Sequence, residues 1–275
     1  IIVLIIMEYA LIIWKKDPAG NNIKNNLLNL YNFSENGKYD DNDIYSYKNI
    51  NLYTSETRHI NCEHIDERLK EDVIIFLTTH RSESKIPSLS VHVAGNWGKA
   101  ELGGEDKQLS IAYPSLMKEI FLEIKKNNTL ENFEVIFEVS HHGPLLTKKP
   151  SMFVEIGSSE KEWSIPEAGK IIASSVMNCL SKKITKTKAV FGIGGLHTTP
   201  ILTKAVEKSN LALAHVCPKY NLENLDEKML KQAFERSYEK VEFALLDWKG
   251  MGKEKTRIIE LLEKLNIEYK RTDKL

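Results

Sequence analysis

From about residue 112 to its end, the chain alternates short apolar runs with segments of helical period, and no other feature restricts the fold as much. Strands joined through helices return parallel to one another, so the rhythm argues for an α/β fold: a largely parallel or mixed sheet flanked by helices. The spacing predicts a helix in "YPSLMKEIFLEIKKN" (113–127), where Pro114 suits the first turn and Leu116, Ile120, Phe121 and Ile124 share one side. A second helix is predicted in "SIPEAGKIIASSVMNCLSKK", with Ser164 as a candidate N-cap and Ile172, Val176 and Cys179 on one stripe. "FEVIFEV" and "SMFVEIG" read as strands. After them come strand "KAVFGIGG", helix "PILTKAVEKS", strand "LALAHVCP", helix "LDEKMLKQAFERSYEK", strand "EFALLDW", helix "KEKTRIIELLEKL" and a short strand "IEYK".

The first third is more varied. "EYALIIW" (8–14) is a strand closed by the turn "KKDPAG", and Ile23, Leu27, Leu30 and Tyr31 then stand at helical spacing. Residues 32–51, rich in Asn, Asp and Tyr, suggest loops and short hairpin strands. "DVIIFLTTH" (72–80) is a continuous apolar strand. "SLSVHVAGNWG" (88–98) sets Leu89, Val91 and Val93 against Ser90, His92 and Ala94, the pattern of a half-buried strand. No repeat or low-complexity linker divides the chain, so residues 7–275 read as one domain. Met7 followed by "EYALIIWKKDPAG" reads as a natural beginning, which makes residues 1–6 an upstream extension or a misassigned start. The opening apolar run ends at Trp14 and contains Glu8, which is short of the roughly 20 residues that cross a bilayer. Cys62, Cys179 and Cys217 form no C-x-x-C pair, so the expected setting is a reducing one, the cytoplasm.

The eight histidines fall unevenly. His80, His92, His141, His142, His197 and His215 each stand at or near the end of an apolar run, where α/β sheets gather ligands. His59 and His64 lie in a polar stretch and read as exposed. Convergence of the strand-end imidazoles would make a metal centre, with Glu138 as a ligand or proton acceptor. A zinc ion with an open position lowers the pKa of its water to about 7 and polarises a carbonyl, which suits ester or amide hydrolysis. A lone histidine near a strand end is more often a hydrogen-bonded structural residue, and none of the familiar zinc spacings is present, so convergence carries the case.

Two loops add to it. "FGIGGLHTTP" (191–200) fails the dinucleotide and phosphate-loop patterns, but Gly194 and Gly195 offer bare backbone before a helix, a place for a phosphate or an oxyanion. "VAGNWG" offers Asn96 as a donor. Lys15, Lys16, Lys148, Lys149 and Lys219 stand on the same loops as the histidines. Singly each is ordinary surface charge. Together they would give a positive rim to a chain whose 38 basic and 38 acidic residues cancel.

Six blocks, "MEYALIIWKKDPAGNNI", "SLSVHVAGNWG", "EVSHHGP", "GIGGLHTTP", "HVCPKY" and "LLDWKGM", occur in the order found in D-aminoacyl-tRNA deacylases of the archaeal and plant type. The chain resembles that family from Met7 to about Lys253. The resemblance implies a phosphorylase/hydrolase-like α/β fold similar to peptidyl-tRNA hydrolase. It also implies two zinc ions per chain and hydrolysis of the ester that joins a D-amino acid to the 3′ end of tRNA. Ligand identities come from the histidine argument instead: His92, His141, His142 and His197 as zinc ligands, Glu138 as base or supporting carboxylate, and His142 and His197 as catalytic through the metal. Gly194, Gly195 and Lys15 would stabilise the oxyanion, while Lys16, Asn96, Lys148, Lys149 and Lys219 would contact substrate. Rival readings are metal-independent peptidyl-tRNA hydrolysis, a zinc amidohydrolase of small molecules, and a tRNA-binding module without turnover.

Overall fold

A computed structural model describes residues 7–275; the expectation about residues 1–6 lies outside them. The chain opens with strand β1 (Tyr9–Trp14) and helix α1 (Pro18–Leu30). Asp17 caps that helix, its Oδ1 accepting from Gly20 N–H at 2.8 Å, and Pro18 takes the first turn, where no N–H is needed. The buried stripe of α1 is Ala19, Ile23 and Leu27; Leu30, expected on it, is exposed because the chain turns out at Tyr31. The polar segment folds as a hairpin, β2 (Ser34–Tyr39) and β3 (Asn42–Tyr47), followed by β4 (Ile50–Ser55) and the short helix α2 (Ile65–Arg68).

Next come β5 (Val73–Arg81), β6 (Ser88–His92), the small pair β7 (Gly95–Asn96) and β8 (Gln108–Leu109), helix α3 (Pro114–Asn127), β9 (Glu134–Phe137) and β10 (Ser151–Ser158). Helices α4 (Glu160–Trp163) and α5 (Pro166–Leu180) follow. Ser164 is not the cap of α5: Ile165 holds that position, and the Ser164 hydroxyl donates back to Lys161 O, closing α4. The remainder is β11 (Lys188–Ile193), α6 (Pro200–Glu207), β12 (Leu211–Cys217), α7 (Glu227–Glu235), β13 (Val241–Leu246), α8 (Lys255–Lys264) and β14 (Tyr269–Arg271).

These strands form two principal sheets. The larger runs β2-β3-β4-β1-β5-β10-β6-β9, parallel through β4-β1-β5-β10 and between β6 and β9, and antiparallel at β10-β6 and in the hairpin. The second, β12-β11-β13-β14, is parallel throughout. The sequence rhythm after residue 112 hides this division, since β9 and β10 join the N-terminal strands and β11 begins the second sheet.

The pleat of the larger sheet decides where the site lies. Leu11, Ile13, Ile75, Leu77, Leu89, Val91, Phe137, Val154 and Ile156 point to one face, packed against α1, α3 and α5. The same core continues to Val190, Leu213, Phe243 and Leu245 of the second sheet. On the opposite face Ala10, Ile12, Ile74, Phe76 and Phe153 meet Cys62, Ile65, Leu69 and Leu146. No helix among the described residues is long and apolar enough to cross a membrane.

Asp17 joins these layers. Besides the cap, its Oδ2 accepts from the Thr79 N–H (3.2 Å) and hydroxyl (3.1 Å), tying α1 to the end of β5. Asp17→Ala removes three hydrogen bonds at a buried position and should lower unfolding free energy by about 2 kcal/mol in urea titration. A change below about 0.5 kcal/mol would show that the tie does not hold the layers.

Candidate metal and catalytic centre

Extend the second face by one more pair on each strand and it turns polar. Thr78 and His80 continue the Phe76 side of β5, Glu155 continues the Phe153 side of β10, Ser90 and His92 project from β6, and Glu138 follows β9 in phase with Ile136. The loop after β9 then supplies His141 and His142, and the loop after β11 supplies His197. His142 has φ of 47°, a left-handed conformation that a non-glycine residue keeps only when its neighbours fix it. They do: Gly95 N–H donates to the carbonyls of His141 and His142, Val139 N–H to His197 O, Ser140 N–H to Val216 O, and Gly143 N–H to Leu102 O.

Two buried carboxylates organise the imidazoles. Glu138 Oε2 lies 2.9 Å from His197 Nε2 and 3.6 Å from His141 Nε2, and Oε1 lies 3.2 Å from His80 Nδ1. Glu155 Oε2 stands 3.5 Å from His80 Nδ1 and 3.7 Å from His92 Nε2. Burial works against both charges, yet the histidines prevail: Glu138 is held well below the usual carboxylate range and Glu155 down to about 2. His80 shows the reverse balance: burial opposes its charge, but the two carboxylates carry it up to about 10. Burial, reinforced by charge on His92, pushes His142 down to about 3 and His141 well below its ordinary value.

The remaining nitrogens are arranged as metal ligands are. Nδ1 of His92, His141 and His142 faces the carbonyls of Val93 (3.3 Å), Val139 (2.9 Å) and Gly143 (2.6 Å) respectively. A carbonyl can only accept, so Nδ1 carries a proton in each, and in the uncharged His141 and His142 Nε2 keeps its lone pair. The three rings lie close together, with centroids 4.3 Å apart for His92–His141 and His141–His142 and 5.0 Å for His92–His142. His92 Nε2 and Glu138 Oε1 are buried without a hydrogen-bond partner, a costly state unless something else satisfies them. Among the described residues, three sets have donor atoms within 4.8 Å of one another: His92, His141 and His142; His80, Glu138 and His197; and His92, Glu138 and Glu155. Ionised carboxylates beside the uncharged rings of His141 and His142, with orphaned donor atoms, fit a divalent cation, which would displace the protons that His80 and His92 carry without it.

The D-aminoacyl-tRNA deacylase family model matches residues 67–270. The chain belongs to the D-aminoacyl-tRNA deacylase family. It is 39% identical to the D-aminoacyl-tRNA deacylase of Pyrococcus furiosus over 263 residues, covering 93% of this chain and 96% of that one. It is 36% identical to the enzyme of the same name from Thermococcus onnurineus, with the same coverage. Among solved structures, the crystal structure of AF0625, a conserved protein of unknown function, superposes with a TM-score of 0.90 at 29% identity, covering 98% of this chain and 96% of that one. The six motif blocks thus identify the family, and the α/β architecture holds along the chain.

Within this member of the family, the structure gathers His92, His141, His142, His197 and Glu138 in one place and separates them from much of the expected rim. Lys15 is directed to Glu56 Oε1 at 2.5 Å and Lys148 to Glu67 at 2.6 Å, while Lys16 is exposed. Lys149 Nζ donates to the carbonyls of Leu69 and Asp66, at the end of α2. Asn96 Nδ2 donates to Gly103 and Glu105 carbonyls, so it closes the 97–107 loop. Gly194 and Gly195 do not form an oxyanion hole, because their N–H groups already donate to Cys217 O (2.9 Å) and Gly250 O (3.3 Å). Lys219 is exposed at the end of β12.

His59, read as exposed, is buried, with its ring centroid 6.4 Å from that of His142 and Nε2 3.5 Å from Thr78 Oγ1. Glu155 was missed altogether, although a single carboxylate inside "SMFVEIG", in phase with Phe153, was its signal. Tyr220 was also missed; its hydroxyl sits 3.1 Å from His197 Nδ1. His215 stands apart from the centre, with both nitrogens bonded, Nδ1 to Ser140 Oγ (3.0 Å) and Nε2 to Arg236 O (2.9 Å). His215→Ala therefore opens a buried cavity and strands two partners, and should cost about 3 kcal/mol in denaturant titration while metal content stays at the wild-type level. Loss of metal with unchanged stability would put His215 in the centre instead.

Proposed function

We propose that this protein hydrolyses the ester joining a D-amino acid to the 3′ end of tRNA, and that zinc bound in the face cluster is required. The observation that carries the reading is the trio His92, His141 and His142, each with Nδ1–H anchored on a carbonyl and Nε2 left to point inward. These three would hold one ion; His80, Glu138 and His197 would hold a second, with Glu155 behind both sets. Bound there, zinc supplies a Lewis acid that makes water a nucleophile at neutral pH and polarises the acyl carbonyl.

The chain's own groups do the rest. Glu138 is kept ionised, and its Oε1, which faces only the His80 ring at 3.2 Å, takes the proton released as water adds to the acyl carbon. The tetrahedral adduct collapses with cleavage of the acyl–oxygen bond, and the same proton passes to the departing ribose oxygen. His197 is the most exposed of the cluster, its side chain 37% accessible, and is where the ester approaches. Tyr220 holds Nδ1 of its ring, which fixes its orientation and leaves Nε2, on the Glu138 side, for the second ion. The named activity of the relatives supports the choice of ester, and cytoplasmic action follows from it, since aminoacyl-tRNA is used there.

Release of tyrosine from matched D- and L-tyrosyl-tRNA tests this, using protein stripped with a chelator and then resupplied with zinc. The D ester alone should be cleaved, and only after zinc is restored. Glu138→Gln should lower the rate by about 10²–10⁴-fold with the fold intact, and Glu155→Gln should lower bound metal per chain. Full activity of the stripped protein would keep the deacylase and end the metal account. No cleavage of either ester would end both.

A further inference from the structure

The second sheet has a feature that catalysis at the face cluster does not use. β12 and β13 lie on opposite sides of β11, so the chain leaves β11 in one direction and returns on the other. At such a reversal the connections diverge, and in open α/β sheets the crevice that takes ligands lies beyond the carboxyl ends of the strands, here those of β11 and β13. Gly194 and Gly195 end β11 with φ of 97° and 86°; Asp247, Lys249 and Gly250 follow β13; Lys219 follows β12.

The floor of this crevice is knitted backbone. Gly194 N–H donates to Cys217 O, Lys219 N–H to Gly195 O, and Asp247 N–H to Ile193 O, each at 2.9 Å. Side chains are excluded from it: a Cβ on Gly250 would collide with the Asp247 carboxylate, and one on Gly195 would stand 3.2 Å from Asp247 Oδ2. Asp247 is only 8% exposed. Its Oδ1 accepts from Gly250 N–H at 2.9 Å, whereas Oδ2 has neither a hydrogen bond nor an ion pair among the described residues. That oxygen stays within reach of solvent and takes no hydrogen bond from the described residues, so it is open to a donor from outside. Around it, Lys219 and Lys249 are exposed and form no ion pair among the described residues, and the Lys219 side chain passes over Gly252. One anionic acceptor flanked by two free cations matches a sugar hydroxyl flanked by phosphates.

The crevice is also joined to the cluster. One residue, Leu196, separates Gly195 from His197, a reach of at most about 7 Å, and Lys219 precedes Tyr220, whose hydroxyl contacts His197 Nδ1. We propose that this crevice binds the terminal nucleotide of the substrate RNA, with a ribose hydroxyl donating to Asp247 Oδ2 and backbone phosphates meeting Lys219 and Lys249. The identity of the RNA rests on the deacylase reading; the chemistry of the crevice does not. A nucleotide held there delivers its 3′ ester to His197.

The test is equilibrium binding of uncharged tRNA, intact and with the 3′-terminal nucleotide removed, to wild type and to Asp247→Asn. Asparagine keeps an acceptor for Gly250 and converts the free oxygen to a donor. Wild type should prefer the intact RNA by about 10-fold or more, and Asp247→Asn should lose most of that preference. A preference retained by the variant, or absent from wild type, overturns the proposal. Lys249→Gln, a surface change that leaves folding untouched, should weaken binding and reduce the slope of log affinity against log salt by about one; an unchanged slope counts against it. Because uncharged RNA has no ester, the outcome is independent of hydrolysis. Preference for the intact end without cleavage of D-aminoacyl-tRNA would leave the crevice and remove the deacylase. Cleavage without preference would do the opposite.

Discussion

A sheet sealed on one face by helices must send every second side chain to the other, and the centre of this protein is built from that pleat. With α1, α3 and α5 covering Leu77, Val91, Phe137 and Val154, the residues between them have nowhere to point but away. Towards the start of β5 and β10 the free face is apolar, with Phe76 stacked on Phe153 at 4.5 Å. Further along the same strands it becomes Thr78, His80 and Glu155. A one-residue slip in β10 would send Glu155 into the helical core and Val154 into the site, so register and chemistry are one constraint.

Burial of two carboxylates among imidazoles is expensive, and the arrangement survives because each charge has partners. Glu138 draws on His80, His141 and His197, and Glu155 on His80 and His92. Removing one member leaves the others uncompensated in a low-dielectric region. The rings are held in turn by backbone carbonyls of their own loops, which in turn hang from Gly95, Val139 and Ser140. The second sheet takes part through Val216 and His197, so the two sheets share responsibility for one centre.

Much of this was legible in the sequence, and the exceptions have physical causes. The strand around His92 and the helix over 113–127 showed because their periods are clean. Most of the cluster's histidines were legible as a set because histidine is scarce and His80, His92, His141, His142 and His197 stand at or near the end of an apolar run. Glu155 was not, because one carboxylate among Met, Phe, Val and Ile looks like an edge residue until the sheet order puts β10 in the middle. His59 was misread because its segment is polar while its ring turns inward beneath Trp14 and Phe153. Lys15, Lys148 and Lys149 differ from the expectation for the converse reason: proximity in sequence to a site loop says nothing of direction, and Lys15 and Lys148 turn to glutamates while Lys149 turns to carbonyls. Gly194 and Gly195 were rightly seen as bare backbone, but their N–H groups are consumed in joining three strand ends.

The central claim is that the pleat creates a metal centre, and zinc-edge anomalous scattering from crystals grown with zinc addresses it most directly. The account predicts one peak about 2.0–2.1 Å from Nε2 of His92, His141 and His142 and a second among His80, Glu138 and His197. Zinc confined to surface carboxylates, with ordered water alone between these side chains, would contradict it.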